Sequence, residues 1–413
     1  MRGAGGLAME KEGKRNVIVM TISWAIMTPF SRAAGIYFSL YAKSLGATNT
    51  QVGLISSLSS LVLGFSRLFG GYLCDVIGRK RLIVQMTFTL ALTRLLFSVA
   101  KDWTWLLVAR VIASIALLYQ PAIWALMADS LPEGERGRYM ALSNTISGFF
   151  GMLGPAIAAW IVKVRGIESG VRFLYFLSAI GLICGSLVRS FLIETIPNKT
   201  KPSLRGMLRD YVKVLPLFKE EVGRVALISA MGIAFTGLID PFVQIYAVES
   251  LEIDPAYWGF ANLIASLAGL FSQPLSGYLT DKVGRKEVVS LSFLTTSIGY
   301  LILLLSPKGS KNFVLASLIA SYIMPRFPAI FALRADVTMP EVRGRVDAIS
   351  RLISNLMLSA SNIAGGKLYD LSPSITILSS VVLMASMSFI SFLFLPSKSD
   401  IMDMGRERPE SDG

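Results

Sequence analysis

The feature that most constrains this chain is a repeated unit: a long apolar run of membrane-spanning length, followed by a short polar break. The unit recurs at roughly 17–41, 51–73, 82–100, 104–131, 140–163 and 172–193, then at roughly 224–248, 258–279, 288–306, 312–335, 346–369 and 375–395. A helix needs about 20 apolar residues to cross a bilayer core. Inside that core it must satisfy its own backbone groups. Charged residues make up 16% of the 413 positions and hydrophobic ones 53%, against about 25% charged in soluble domains. The expected fold is an all-α membrane protein of twelve transmembrane helices in two six-helix pseudo-symmetric bundles. The first run is too long for a secretory leader, and no small-residue cleavage site follows it, so no signal peptide is expected.

A polar stretch, 194–223, separates the two sets of runs. It predicts a bundle over 1–195, a cytoplasmic linker over 196–222 and a second bundle over 223–413. Within the linker, Leu204, Met207, Leu208, Tyr211, Val212 and Leu215 recur at helical spacing, with Arg205, Arg209 and Lys213 off that stripe. Such a helix lies in the membrane interface or rests on the bundle as a plain linker.

The net charge is +13, and its placement decides its meaning. More than half of the 40 Lys and Arg fall in alternate segments: the N-terminus, 74–81, 132–139, 194–224, 280–287, 336–345 and the C-terminus. Positive loops stay on the cytoplasmic side. Both termini are therefore expected in the cytoplasm of a multi-pass plasma-membrane protein. The charge reads as topology, and no nucleic acid is expected.

The chain has no histidine, which removes His-based metal sites, Ser-His-Asp catalysis and histidine proton relays. Cys74 and Cys184 form no metal spacing or disulfide framework and read as small packing residues. No paired carboxylates stand where a reaction could be built, so no enzyme, cofactor or metal is expected. No Walker-type loop is present, so energy for any work must come from gradients.

The two halves repeat each other. "GGYLCDVIGRKR" after the second run matches "SGYLTDKVGRKE" after the eighth: Asp75, Gly78, Arg79 and Lys80 correspond to Asp281, Gly284, Arg285 and Lys286 at a spacing of 206. "ADSLPEGERGRYMALS" after the fourth matches "ADVTMPEVRGRVDAIS" after the tenth, which aligns Asp129 with Asp336. Parallel repeats with both ends on one side are a transporter layout. Gly71 and Gly277 sit in the last turn of their runs, where a missing side chain lets another helix approach. Gly78 and Gly284 suit a turn with positive φ. Arg79 and Arg285 can then reach Asp129 and Asp336.

These motifs resemble the signature of the major facilitator superfamily, G-x-L-x-D-R-x-G-R-K/R, with Val76 in place of a basic residue in the first copy. The resemblance covers essentially the whole chain. It implies a secondary carrier that works by alternating access, as a monomer. It also implies a charge network, Asp75, Arg79, Asp129, Asp281, Arg285 and Asp336, that latches the cytoplasmic side when the outside is open. "GMLGPAIAAW" partly resembles the antiporter motif G-x-x-x-G-P-x-x-G-G: Gly148, Gly151, Gly154 and Pro155 fit, and Ala158 and Ala159 replace the last glycines. That favours an efflux-type antiporter. "LLVARVIAS" resembles the span-four arginine motif linked to proton coupling, with Ser114 in place of a glycine.

A charge at a helix centre costs roughly 2.5–3.5 kcal/mol on insertion scales, so each one asks for a function or a partner. Arg32, Arg94, Arg110, Asp240 and Arg326 stand out. The family's first, fourth, seventh and tenth spans line the cavity, which implies Arg32, Arg110, Asp240 and Arg326 for substrate or proton coupling. Two readings of Arg32 and Asp240 stay open. Asp240 exchanges a proton while Arg32 tunes it or binds substrate, or the two form a permanent pair. Arg326, between Pro325 and Pro328, binds an anion, snorkels or caps backbone. Arg67 and Arg334, nearer the ends, read as snorkelling. Tyr37, Tyr41, Trp124, Phe242 and Tyr246 are aromatic wall or packing. The expected partners are a small-molecule solute, protons and the lipid bilayer. An uptake symporter or uniporter for a sugar or organic anion is the alternative, and a transport-dead sensor is the alternative of another class.

Overall fold

The computed structural model of the chain describes residues 4–195, 203–219, 221–339, 341–397 and 400. The side chains of residues 4–12, Asp75, 133–134 and Leu204 lie outside that description. So do the linker residues 196–202 and 220.

All regular structure among the described residues is helical. The first span is α1 (Ala4–Ile36) and α2 (Phe38–Ser44), broken at Tyr37. Then follow α3 (Asn49–Ile77), α4 (Arg79–Ser98), α5 (Trp103–Ala116), α6 (Gln120–Asp129), α7 (Glu133–Arg165) and α8 (Ile167–Arg189). The linker carries α9 (Leu204–Val214). The second half has α10 (Glu221–Gly237), α11 (Val243–Ile245), α12 (Pro255–Lys282), α13 (Arg285–Leu304), α14 (Lys311–Tyr322), α15 (Phe327–Val337), α16 (Arg343–Leu371) and α17 (Pro373–Phe394).

Local chemistry sets the boundaries. Thr48 and Gln51 form a capping box at the start of α3, and Asp102, Asp254 and Ser372 cap α5, α12 and α17. Each side-chain oxygen takes up an N–H that the first turn leaves without a partner. Gly78 and Gly284 adopt φ of +95° and +141°, the backbone expected for both motif turns.

The first, fourth, seventh and tenth spans are the broken ones. The fourth passes through a 3-10 turn, Leu117–Tyr119, before Pro121. The seventh unwinds over 238–242 around Pro241 and continues as a π-helical turn, Tyr246–Ser250. The tenth opens between Ile323 and Arg326, beside Pro325 and Pro328. Proline removes a backbone donor and clashes with the preceding turn, and such breaks are tolerated where they line protein or a cavity.

Packing shows the repeat directly. In the first half α1 lies on α7, α4 on α8, and α3 on α5. In the second half the corresponding partners recur: α10 on α16, α13 on α17, and α12 on α14. The halves meet along α3–α16 and α7–α12. Ten of the twelve expected spans are long and apolar enough to cross a bilayer, and α12 and α16 fall short. Both lie on the seam, each covered by a helix of the other half, so their polar faces meet protein instead of lipid. Ser57 and Ser359 hydrogen-bond across it at 2.8 Å, and Asn362 donates to Ser60 at 3.3 Å. Small residues let the backbones approach, as in other membrane interfaces. A Cβ at Gly53 would stand 2.5 Å from the Asn362 carbonyl oxygen.

Cys74 is buried in the first bundle, whereas Cys184 on α8 is exposed, so it does not pack as expected. Tyr37, Tyr41 and Phe242 are packing: Tyr37 and Tyr41 donate to the carbonyls of Pro255 and Phe97, and Phe242 stacks on Tyr369 at 5.0 Å.

Candidate functional site

The second bundle encloses a cavity of about 410 Å³. Its walls come from α10, α12, α13 and α14 and from the broken parts of the seventh and tenth spans. Asp240, from the unwound turn, keeps an exposed side chain that opens into the cavity. Tyr300 of α13 donates to it at 3.0 Å. Arg326, in the break before α15, lies within Coulombic reach of both Asp240 and Tyr300 and over the Phe293 ring at 5.1 Å. Gln244, Asn262 and Tyr322 add to the polar lining. Gly237 and Gly299 make this geometry possible. A Cβ at Gly237 would meet Leu358 of α16 at 2.4 Å, and one at Gly299 would meet the Ser317 carbonyl at 2.7 Å.

The permanent Arg32–Asp240 pair, one of the two open readings, is absent among the described residues. Asp240 accepts from Tyr300 with Arg326 nearby, and Tyr322 lies near both Asp240 and Arg32. The pairing from sequence used depth along the helices. The radial position of Asp240, turned into its own bundle by the break at Pro241, decides otherwise. Arg326 is likewise a wall residue that neither snorkels nor caps. Tyr300 escaped the sequence reading although it occupies the repeat position of Arg94, at a spacing of 206.

Arg32 lies along the small-residue face of α7. A Cβ at Gly151 would be 2.9 Å from the Arg32 Nε, and one at Gly154 would be 2.7 Å from the Pro29 carbonyl oxygen. The glycine motif therefore places α1 and its arginine close against α7. Farther along, Ala159 of α7 packs on Gly259 of α12, where an added Cβ would approach the Ala159 Cβ to 2.9 Å and the Tyr37 Oη to 2.4 Å.

Arg110 belongs to a separate cluster. It lies over Phe38 at 4.6 Å, and Arg94 lies over Phe97 and Tyr175 at 5.6 and 5.8 Å. Arg189 is fully buried and donates to Ser23 at 3.1 Å and to Thr87 at 2.6 Å. A desolvated ion costs several kcal/mol, and an aromatic face returns roughly 0.5–2 kcal/mol. Arg67 and Arg334 do not snorkel. Arg67 donates to Gln120 at 2.9 Å, and Arg334 pairs with Asp347 at 3.2 Å, which Arg351 shares at 2.6 Å. Polar partners on neighbouring helices leave them no reason to reach for the interface.

At the motif loops the structure joins Arg79 to Asp129 and Arg285 to Asp336. Each pair stays within one half. The side chain of Asp75 lies outside the described residues, and the Asp281 carboxylate is not among the partners of these pairs. Glu194, which the sequence reading missed, accepts from the Arg79 and Lys80 N–H groups at 3.2 and 3.0 Å, and Thr195 accepts from the Arg79 guanidinium at 2.9 Å. A Cβ at Gly78 would sit 2.8 Å from that carboxylate. The signal for Glu194 was its repeat partner Asp400, 206 residues on. Gly71 and Gly277, expected to admit a neighbouring helix, have nothing within 4 Å of an added Cβ. At Gly71 the space is a crevice of about 370 Å³, lined by α9 and Arg345.

The opposite face is tied shut. Asp370 at the end of α16 accepts from Asn49 at 2.9 Å and from the Thr50 N–H at 3.0 Å and hydroxyl at 2.5 Å. Lys43 pairs with Glu249 at 3.6 Å, and Tyr37 donates to Pro255 at 2.6 Å. The halves are thus joined at one end of the seam and stand apart at the motif glycines of the other.

Comparison with known proteins agrees with this architecture. The family model described as Major Facilitator Superfamily matches residues 17–239 and 225–409. An uncharacterised MFS-type transporter of Methanocaldococcus jannaschii is 26% identical over 318 residues, 74% of this chain and 78% of its own length. A multi-drug resistance efflux pump PmrA homolog of Lactococcus lactis is 24% identical, covering 85% and 87%. The quinolone resistance protein NorA of Staphylococcus aureus is 24% identical, covering 68% and 71%. Among solved structures, the human organic anion transporter MFSD10 superposes with a TM-score of 0.67 at 16% identity over 93% of this chain and 99% of its own. A bacterial homolog of the human lysosomal transporter Spinster gives 0.70 at 12% identity, covering 95% and 98%. The duplicated six-span bundles, the seam helices and these matches place the chain, as a multi-pass membrane transporter and not an enzyme, in the Major Facilitator Superfamily.

Proposed function

We propose that this carrier exports a small organic solute in exchange for protons, with Asp240 as the proton-exchanging group. The observation that carries the reading is the Asp240 carboxylate opening into the 410 Å³ cavity between Tyr300 and Arg326. A nearby guanidinium favours the charged form of a carboxylate. A rearrangement that changes its distance to Arg326 therefore changes its proton affinity. Arg32, near Tyr322, is the substrate-side charge. By name the PmrA homolog is a multi-drug resistance efflux pump and NorA a quinolone resistance protein, which supports export and a drug-like solute.

The motif pairs and Glu194 hold each half's loop rigid. Gly71 and Gly277 are then the faces that close when the halves rock toward the motif side, and the charge pattern supports that side as the cytoplasmic one of a plasma-membrane carrier. The two bundles, 1–195 and 223–413, are the rocking bodies, and the functional unit is the monomer. The linker helix α9 lies in the interface: Leu208, Val212 and Leu215 are exposed along one edge beside Arg205, Arg209 and Lys213, and Tyr211 anchors it to the Leu68 carbonyl at 3.2 Å.

The test is proton flux in liposomes carrying the purified protein, wild type against Asp240→Asn, with a mixed solute library. Solute-dependent proton movement that is lost in the variant is the expected result. Solute movement without proton flux, unchanged in the variant, refutes the coupling. A second reading, an organic-anion carrier, is favoured by the arginines that meet no carboxylate.

A further inference from the structure

The membrane interior of the first half carries cations without anions. The first span, 17–41, contains no acidic residue. Arg94 and Arg110, on α4 and α5, make no ion pair among the described residues. The Nε of each is buried without a hydrogen-bond partner, and so is the hydroxyl of the fully buried Tyr175. The three groups share one wall. Phe38, under Arg110, meets Phe97 edge-on at 6.1 Å, and Phe97, under Arg94, stacks on Tyr175 at 4.8 Å. Both guanidinium charges act on Tyr175, and they act on each other.

Two like charges in a low-dielectric interior repel, and ring faces offset part of the charge but leave the N–H donors unbonded. Water would satisfy donors without removing net charge. Both arginine side chains keep part of their surface open, so a ligand can reach their terminal nitrogens. The second half offers a comparison. Tyr300 stands at the repeat position of Arg94, and that half places its own anion, Asp240, beside Tyr300 and Arg326. The first half has the cations and the tyrosine but no such anion.

We propose that Arg94, Arg110 and Tyr175 form a binding site for one monovalent anion of carboxylate or halide size. The guanidinium N–H groups and the Tyr175 hydroxyl supply its donors. The anion has two possible sources, the carboxylate of a transported solute or a free halide. The site stands apart from Asp240 and does not depend on proton coupling.

The experiment is equilibrium titration of chloride and, separately, benzoate into the full chain in nanodiscs, with ionic strength held by sodium sulfate. One saturable site is expected for wild type, weakened about tenfold or more in Arg94→Gln and in Arg110→Gln, as for loss of a buried charge partner. Saturation by benzoate with weak chloride competition identifies a solute carboxylate. Saturation by chloride that benzoate does not displace identifies a halide. Should the glutamine variants fail to fold, Tyr175→Phe carries the test through a loss of about threefold or more, as for one hydrogen bond. Saturation by neither probe, or equal affinity in the variants, overturns the proposal. Because binding is read without transport, the result is separate from the fate of the export reading.

Discussion

Asp370→Ala tests whether the closed face is held by the contacts described. Asp370 accepts three hydrogen bonds from Asn49 and Thr50 of the other half. Its carboxylate also lies at the N-terminus of α3, where negative charge is favourable. The site is exposed, so the low end of the range applies. About 0.5 kcal/mol per bond and about 0.3 kcal/mol for the helix terminus give roughly 1.8 kcal/mol. None of these contacts survives separation of the halves at this face. Removing them therefore raises the population with α3 parted from α16 about 20-fold.

The assay is the labelling rate of Ser57→Cys by maleimide in nanodiscs, in a Cys74→Ser, Cys184→Ser background. Ser57 is 3% exposed, against α16, so reaction requires separation, and the rate follows the open population when closing is fast. A ratio below about three refutes the reasoning. The acid dependence has a fixed sign. Burial pushes the Asp370 carboxyl up, but the Thr50 and Asn49 hydrogen bonds outweigh it and hold it below its ordinary 3.8. The tie is therefore complete at neutral pH and is lost only as pH falls through that lowered value. Spin-label distances between Lys101→Cys and Ser374→Cys should stay constant through neutral pH and lengthen only in that acid range.

Three further outcomes follow from named contacts. Gly154→Leu forces α7 off the Pro29 carbonyl and the Arg32 stem, and should lower the thermal midpoint by the equivalent of about 1–3 kcal/mol; an unchanged midpoint refutes the close α1–α7 packing. Gly259→Val drives Ala159 and the Tyr37 hydroxyl away, so it should speed Ser57→Cys labelling in the same direction as Asp370→Ala. Glu194→Ala leaves the Arg79 and Lys80 N–H groups without their acceptor and should cost about 1 kcal/mol, as for a lost helix cap, with Glu194→Gln intermediate; thermal unfolding in nanodiscs reads it.

Much of this protein was legible in one dimension, because a membrane interior permits few backbone solutions. Apolar runs located the spans even where hydropathy was weak, as in α12 and α16. Positive φ at Gly78 and Gly284, and the reach of Arg79 and Arg285 to Asp129 and Asp336, also followed from local rules. What the tertiary structure alone decided was which side chains share a space. Depth along a helix can be counted from sequence, but the direction a residue faces depends on where proline breaks rotate the segment. Asp240 therefore turned toward Tyr300 and Arg326 and not toward Arg32. For the same reason, Arg67 and Arg334 found partners on adjacent helices where sequence offered only the membrane surface. The state of the seam was equally beyond the sequence. Gly71 and Gly277 say that a helix can come close, and only the packed bundles show that none does while Asp370 holds the other end.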